Sequence, residues 1–263
     1  MKPKVALLVS TYNWPEALNL LFKSLVRQSE LPDEFLIADD GSKPETTELI
    51  NGFRKQTDME IVHVWHEDEG FKRSEILNKT IAKSKADYII QTDGDCILHE
   101  HFIKDHKAFA KRGLYLFGSR VNILEEYRDE LFETENITFN IFSKGIKNRT
   151  RTLHIPLLSN FYAPQTELSK KLRGCNVSFW RDDFKNVNGY NEAMTGWGRE
   201  DSELITRMMN NGVVGRRLRY RGIVYHIWHK TSSKSNLNIN DAIQEKAKND
   251  NLRWCPNGID KYL

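Results

Sequence analysis

Val5-Ala6-Leu7-Leu8-Val9-Ser10-Thr11-Tyr12-Asn13 decides the fold. Five consecutive apolar residues, without polar alternation, are the pattern of a short strand buried on both faces, and the polar run that follows marks its end. Helical periodicity comes next, with Leu18, Leu21, Phe22 and Leu25 on one face of residues 16–26. The same rhythm then repeats. Phe35-Leu36-Ile37-Ala38 runs into Asp39-Asp40-Gly41-Ser42, a helix is predicted over 46–53, and Ile61-Val62-His63-Val64 reads as a third strand. After a helix over 76–83, Tyr88-Ile89-Ile90-Gln91 leads into Thr92-Asp93-Gly94-Asp95. Strands alternating with helices predict an α/β fold: a Rossmann-like, mostly parallel central sheet flanked by helices.

Ligands of such sheets collect beyond the carboxyl ends of the strands. Ser10 to Asn13, Asp39-Asp40 and Asp93-Gly94-Asp95 all fall on that edge. No glycine-rich phosphate loop follows the first strand, and no Gly-x4-Gly-Lys-Ser/Thr occurs, so phosphates here would need a metal. Carboxylates two residues apart on an extended segment point to opposite sides, so a turn at Gly94 is needed to aim both into one site. Asp93 would then accept hydrogen bonds from a ribose, and Asp95 would bind a divalent cation bridging a diphosphate. Asp-Gly is also an ordinary solvated turn, which is the plainer alternative.

The 263 residues suffice for one large domain. Lys+Arg 39 against Asp+Glu 36 leaves a net charge of +3, too little to argue for nucleic acid. Met1-Lys2-Pro3-Lys4 leads into only a short apolar run, so neither a signal peptide nor a spanning helix is expected, and a cytoplasmic location is. Cys96, Cys175 and Cys255 lack metal spacing and read as reduced thiols.

The second half is less regular. Periodicity fades over 124–172, where acids give way to basic and aromatic residues; the segment reads as a lid, an acceptor-recognition surface that could touch the inner face of a membrane, or a loop with a solvated face. Arg173 to Trp180 reads as a strand entered by a tight turn. Gly196-Trp197-Gly198-Arg199-Glu200-Asp201 then sets a flexible, close-approach loop with an aromatic wall directly before two carboxylates. As a bland alternative it caps the helix that starts at Glu200, whose dipole favours acids there. Ile223-Val224-Tyr225 is a strand ending in His226-Ile227-Trp228-His229, and two histidines at such an end raise the option of metal ligation. Arg216, Arg217, Arg219 and Arg221 make either a phosphate or membrane footprint or an exposed strand face. The tail, with a charged helix over 241–252, is expected to be pinned by Trp254 and Tyr262.

In order, Val9-Ser10-Thr11-Tyr12-Asn13, Ala38-Asp39-Asp40-Gly41-Ser42, Thr92-Asp93-Gly94-Asp95, Gly174-Cys175-Asn176-Val177-Ser178-Phe179 and Gly196-Trp197-Gly198-Arg199-Glu200-Asp201 resemble the family 2 glycosyltransferases. The similarity is greatest to members with a galactosyltransferase-like second half, such as bacterial chondroitin polymerase domains and β-1,4-galactosyltransferases.

The resemblance implies a GT-A fold as a single domain of two halves. Residues 1–123 would bind the nucleotide-sugar, 124–172 would be a variable lid or acceptor segment, and 173–263 would hold the acceptor-binding and catalytic half with a C-terminal helix. It implies a UDP-sugar donor, Mn2+ or Mg2+, and inversion at the anomeric carbon, with a glycan or lipid-linked glycan as acceptor in bacterial surface polysaccharide synthesis. Asp39 or Asp40 would contact the uracil, with Thr11, Tyr12 and Asn13 beside the nucleotide. Arg73 would be the basic residue near the nucleotide, and Asp93 would meet the ribose or the metal. Asp95 and His226 would hold the metal, with His229 as the alternative histidine. Asn176, Trp197 and Glu200 would hold sugars, and Asp201 would be the general base. Leu77-Asn78 stands where relatives often carry Arg-Asn. The rival readings are a nucleotide-sugar-binding subunit without catalysis, which has no use for Glu200-Asp201, and a metal-dependent nucleotidyltransferase.

Overall fold

A computed structural model describes residues 2–230 and 233–263; Met1, the first residue of the start quoted above, lies outside them. The first half follows the expected alternation: β1 (Val5–Thr11), α1 (Pro15–Val26), β2 (Glu34–Asp39), α2 (Pro44–Arg54), β3 (Ile61–Trp65), α3 (Arg73–Lys83) and β4 (Tyr88–Asp93). After a short β5 (Cys96–Leu98) come α4 (Phe102–Phe109), β6 (Leu114–Phe117) and β7 (Ser119–Ile123). Helices α5 (Arg128–Thr134) and α6 (Pro156–Ser159) flank β8 (Ile146–Lys147). The last part holds β9 (Asn176–Trp180), α7 (Arg181–Asn186), α8 (Glu200–Asn210), β10 (Val214–Arg217), β11 (Ile223–His226) and α9 (Leu237–Asn249).

Seven strands form the main sheet in the order β10-β6-β9-β4-β1-β2-β3. Only β9 runs antiparallel to its neighbours. All seven residues of β1 except Ser10 are buried, as a strand covered on both faces requires. Leu8, Leu36, Ile76 and Phe179 belong to the core on one face, and Leu7, Leu21, Phe35 and Phe102 to that on the other. A second sheet, β5-β11-β7-β8, covers a third cluster that includes Val121, Leu131, Phe139, Ile146 and Tyr225.

Part of residues 124–172 is therefore built into the body: β8 pairs with β7, and Gln165 and Gly215 exchange backbone hydrogen bonds of 2.7 and 3.0 Å. The tail departs from expectation at one anchor. Trp254 is half exposed, whereas Cys255 and Ile259 are buried; Asn188 ties down that stretch by donating to the Cys255 carbonyl and accepting from the Asp260 N–H (both 2.8 Å). Tyr262 does anchor, donating to Glu192 at 3.1 Å. No helix of the described residues is long and apolar enough to cross a membrane.

Candidate active site

The parallel strands deliver their polar ends to one edge, as the sequence suggests. Gly94 N–H donates to the Ser10 carbonyl (2.8 Å), closing the turn that separates Asp93 from Asp95 and aims them at different partners.

Asp95 turns toward the second sheet. Its Oδ2 lies 3.5 Å from His226 Nε2 and 3.3 Å from His229 Nε2, so both histidines face one carboxylate. Backbone geometry enforces this, because β11 pairs with β5 through His226 opposite Cys96, and Ile227 N–H donates to the Asp95 carbonyl at 2.9 Å. His229 Nδ1 lies 3.0 Å from the Lys230 carbonyl, which can only accept, so Nδ1 carries a hydrogen and the ring is oriented with Nε2 toward Asp95. One oxygen and two imidazole nitrogens, all within 4.8 Å of one another, fit a divalent cation.

Asp93 turns the other way. It accepts from Ser10 Oγ (2.9 Å) and from Arg73 Nη2 (2.8 Å), and although burial opposes its charge, the Arg73 guanidinium holds its carboxyl below the usual range. The second fork of the same guanidinium, Nη1, reaches Glu200 Oε1 at 3.3 Å and Asp201 Oδ1 at 3.2 Å. Arg73, the first residue of α3, thus joins acids from both halves of the chain.

Asp201 is held on three sides. Besides Arg73, the buried Tyr190 hydroxyl lies 3.1 Å from Asp201 Oδ1 and 2.9 Å from Gln91 Oε1, so its hydrogen is shared between two acceptors. Burial and the Asp201 charge push the Tyr190 phenol well up, keeping it a donor. Gly174 forms the third side: a Cβ there would sit 1.9 Å from Asp201 Oδ2, so any larger residue would displace this carboxylate from its present position.

Glu200 differs from its neighbour. It is nearly buried, its Oε2 has no hydrogen-bond partner, and burial followed by the Asp201 charge pushes its carboxyl up to about 7, against the pull of Arg73. Both acids open α8, where the dipole favours negative charge, so the capping reading and the site reading describe the same residues. Helix α8 is locked from behind by the buried Glu203–Arg207 pair, whose guanidinium also donates to the Gly189 carbonyl at 2.8 Å.

The loop before α8 needs glycine at Gly198, where φ is +107°. Asn240 of α9 donates to the carbonyls of Thr195 (3.2 Å) and Gly198 (2.9 Å), so the tail helix clamps this loop. Trp197 and Phe71 stay partly exposed on the wall of a cavity of about 360 Å3, which Lys72, Thr195 and Asn236 also line.

The other sequence candidates make hydrogen bonds or packing contacts within the fold. Asp39 is fully buried, and its two oxygens meet the Ser42 N–H (2.8 Å) and His63 Nε2 (3.0 Å). Asp40 meets His66 Nε2 (2.8 Å) and the Lys72 N–H (3.1 Å), which positions the start of α3 and hence Arg73; burial pushes its carboxyl up. Thr11 is buried, and its side chain packs beside Gly94. Asn13 N–H donates to Ser42 Oγ and Asn13 Oδ1 accepts from Lys43 N–H, while Tyr12 is exposed and donates to Asp68 at 2.8 Å. Asn176 is buried, with Nδ2 donating to the Ser119 and Gly222 carbonyls and Oδ1 facing His106 Nε2, so its amide joins two sheets rather than facing the cleft. Sequence reasoning missed Tyr190, Gln91 and the service of Asn78, which accepts from Tyr190 N–H at 2.9 Å. A glutamine inside the apolar strand β4 is the signal that was available.

Two family models match the chain: "Glycosyl transferase family 2" over residues 6–171, and "N-terminal domain of galactosyltransferase" over residues 159–230. The first contains Arg73, Asp93 and Asp95, and the second Gly174, Asp201 and both histidines. Chondroitin synthase of Pasteurella multocida (strain Pm70) is 23% identical over 239 residues, covering 84% of this chain and 24% of that protein. Among solved structures, S. aureus TarS 1-349 in complex with UDP matches with a TM-score of 0.64 at 15% identity, over 92% of this chain and 64% of that one. The mannosyltransferase PcManGT from Pyrobaculum calidifontis, in complex with GDP-Man and Mn2+, matches with a TM-score of 0.60 at 17% identity, over 92% and 61%. The fold is therefore GT-A. The chain spans half or less of the length of the curated relatives it matches first.

Proposed function

Because the chain belongs to glycosyl transferase family 2, we propose that it moves a hexose or N-acetylhexosamine from a UDP-sugar to a hydroxyl of a glycan acceptor, with inversion, in the assembly of a surface polysaccharide. One observation carries this reading: Arg73 binds Asp93 from the metal-side turn and Glu200 and Asp201 from the acceptor side with a single guanidinium. The two halves of a displacement site are thereby held in one frame.

Asp95, His226 and His229 would hold the divalent cation, and the nitrogen pair favours Mn2+ over Mg2+. Such a cation supplies positive charge to the leaving diphosphate. Asp201 takes the proton of the acceptor hydroxyl as that oxygen attacks the anomeric carbon; Gly174, Arg73 and Tyr190 fix the carboxylate for that transfer. Burial pushes the Glu200 carboxyl up to about 7 and leaves its buried Oε2 without a hydrogen-bond partner, a group that a sugar hydroxyl would satisfy. Trp197 offers a flat apolar face to a pyranose ring. A binding subunit without catalysis has no use for a carboxylate supported on three sides, and a nucleotidyltransferase lacks its basic phosphate loop here.

The test is Asp201→Asn. Transfer is expected to fall at least about a thousandfold, while UDP binding with Mn2+, followed by calorimetry, stays near that of the parent. Transfer at the parent rate removes Asp201 from the role of base.

A further inference from the structure

Five arginines gather on one flank of the site without an ion pair to an acid among the described residues, although Arg173 feels the Asp201 charge. Arg120 lies in β7, Arg151 ends a 3-10 turn, Arg173 precedes β9, Arg217 ends β10, and Arg219 follows it. Arg151 Nη1 donates to the Arg120 carbonyl (2.8 Å) and Arg219 Nη2 to the Thr150 carbonyl (3.1 Å), which fixes three of them on one patch. Beyond the effect of burial, Arg151 feels the charges of Arg120, Arg219 and Arg173, and Arg217 feels Arg219 and Arg151; both guanidiniums are held below their ordinary value. Among the described residues, arginine ion pairs go instead to Arg73, Arg112, Arg128, Arg199, Arg207 and Arg221. Arg217 Nε and Arg219 Nη1 are buried with no hydrogen-bond partner. Unpaired cations crowded together with orphaned N–H groups are costly unless an anion completes them.

Topology says which ligand could bring that anion. Arg217 at the carboxyl end of β10 and Arg173 at the entry to antiparallel β9 lie on the same sheet edge as Ser10 and Asp93, but on the half away from β1, β2 and β3. Arg173 adjoins Gly174, the residue packed against Asp201, so the patch begins where the acceptor hydroxyl must sit. The diphosphate of the donor, in the reading above, belongs at Asp95 and its two histidines. We infer that the patch of Arg120, Arg151, Arg173, Arg217 and Arg219 binds an anionic group, carboxylate or phosphate, carried by the acceptor glycan. This rests on Asp201 marking the acceptor side of a sugar transferase.

The experiment measures binding of four probes by calorimetry: a hexuronate-containing tetrasaccharide, a phosphodiester-linked glycerol oligomer, a neutral hexose tetrasaccharide and phosphatidylglycerol vesicles. At least one of the first two is expected to bind about tenfold or more tighter than the neutral sugar, weakening with salt, and which one binds identifies the anion. Arg151→Gln/Arg217→Gln is expected to weaken that binding about a hundredfold, about tenfold per lost charged fork, with UDP–Mn2+ binding unchanged. Arg151→Lys/Arg217→Lys, which keeps the charge, should lose about tenfold and retain the salt dependence. The inference is overturned if neither anionic glycan exceeds the neutral one, if the Gln variant binds like the parent, or if only the vesicles bind. A parent that binds anionic glycan but not UDP would instead remove the transferase reading and leave the patch as an anionic-glycan site.

Discussion

Gly174→Ala tests the frame around Asp201 without touching a charged group. The backbone of Gly174 is not in the left-handed region, so the only obstacle to alanine is steric, and the three nearest atoms to the added Cβ all belong to Asp201, at 1.9, 2.2 and 2.3 Å. Contacts under 3.0 Å are not tolerated, so the carboxylate must retreat by about 1 Å. A shift of that size breaks the bonds from Arg73 Nη1 and Tyr190 Oη, now 3.2 and 3.1 Å long. Overpacking of this kind costs about 1–3 kcal/mol, and misplacing a reacting group by about 1 Å costs on the order of a hundredfold in rate. UDP release from the UDP-sugar with Mn2+ and acceptor should show kcat reduced about a hundredfold, with UDP affinity retained.

Urea unfolding supplies the decisive control. In an Asp201→Ala background the obstructing atoms are gone, so Gly174→Ala should cost at least about 1 kcal/mol less there than in the parent. Equal destabilisation in both backgrounds, or a parent-like kcat for the single variant, would refute the packing argument.

Asp95→Ala should abolish the Mn2+-dependent part of UDP binding, and His226→Ala and His229→Ala should each weaken it; calorimetry with and without Mn2+ in which either histidine variant matches the parent would remove that histidine from the ligand set. Glu200 has its folded pKa raised from 4.5 to about 7, so its stabilising contribution is full below pH 4.5 and is lost as pH rises through about 7. Glu200→Gln should therefore gain stability relative to the parent by about 2–3 kcal/mol between pH 5 and pH 8, and a stability difference flat with pH contradicts the burial argument. Tyr190→Phe removes one donor to Asp201 and should lower kcat about tenfold at unchanged UDP affinity; an unaltered kcat would leave Tyr190 a packing residue only.

Much of the fold is legible because a strand buried on both faces must be apolar throughout and must end where polar residues begin. Val5 to Val9, Phe35 to Ala38 and Tyr88 to Ile90 state that directly, and β1, β2 and β4 lie where they say. Asp95, the two histidines and the Glu200-Asp201 pair are legible for a related reason: each sits at an element end, where a short motif fixes its direction. Contacts between distant segments are not legible in this way. Arg73 meets residues 20, 127 and 128 positions away, and Tyr190 meets one 99 positions away; no local spacing encodes these meetings. Asn176 shows the converse, since membership of a motif does not tell which way a buried amide points.

The acids around Arg73 explain why two adjacent carboxylates need not duplicate each other. One guanidinium faces Asp93, Glu200 and Asp201, so full ionisation would leave net negative charge in a largely buried space. The structure relieves this unevenly. Asp93 has the shortest guanidinium bond and the Ser10 hydroxyl, and Asp201 has Tyr190 as well as Arg73, whereas Glu200 has one long contact and an orphaned oxygen. Burial therefore falls hardest on Glu200 and draws a proton to it near neutrality. Under the proposed function, a protonated Glu200 would donate to a sugar hydroxyl while Asp201 accepts a proton, a division of labour set by surroundings rather than by residue type. Arg73 thus links the acid at the end of β4 to the two that open α8, and its charge opposes the rise that burial and Asp201 impose on Glu200.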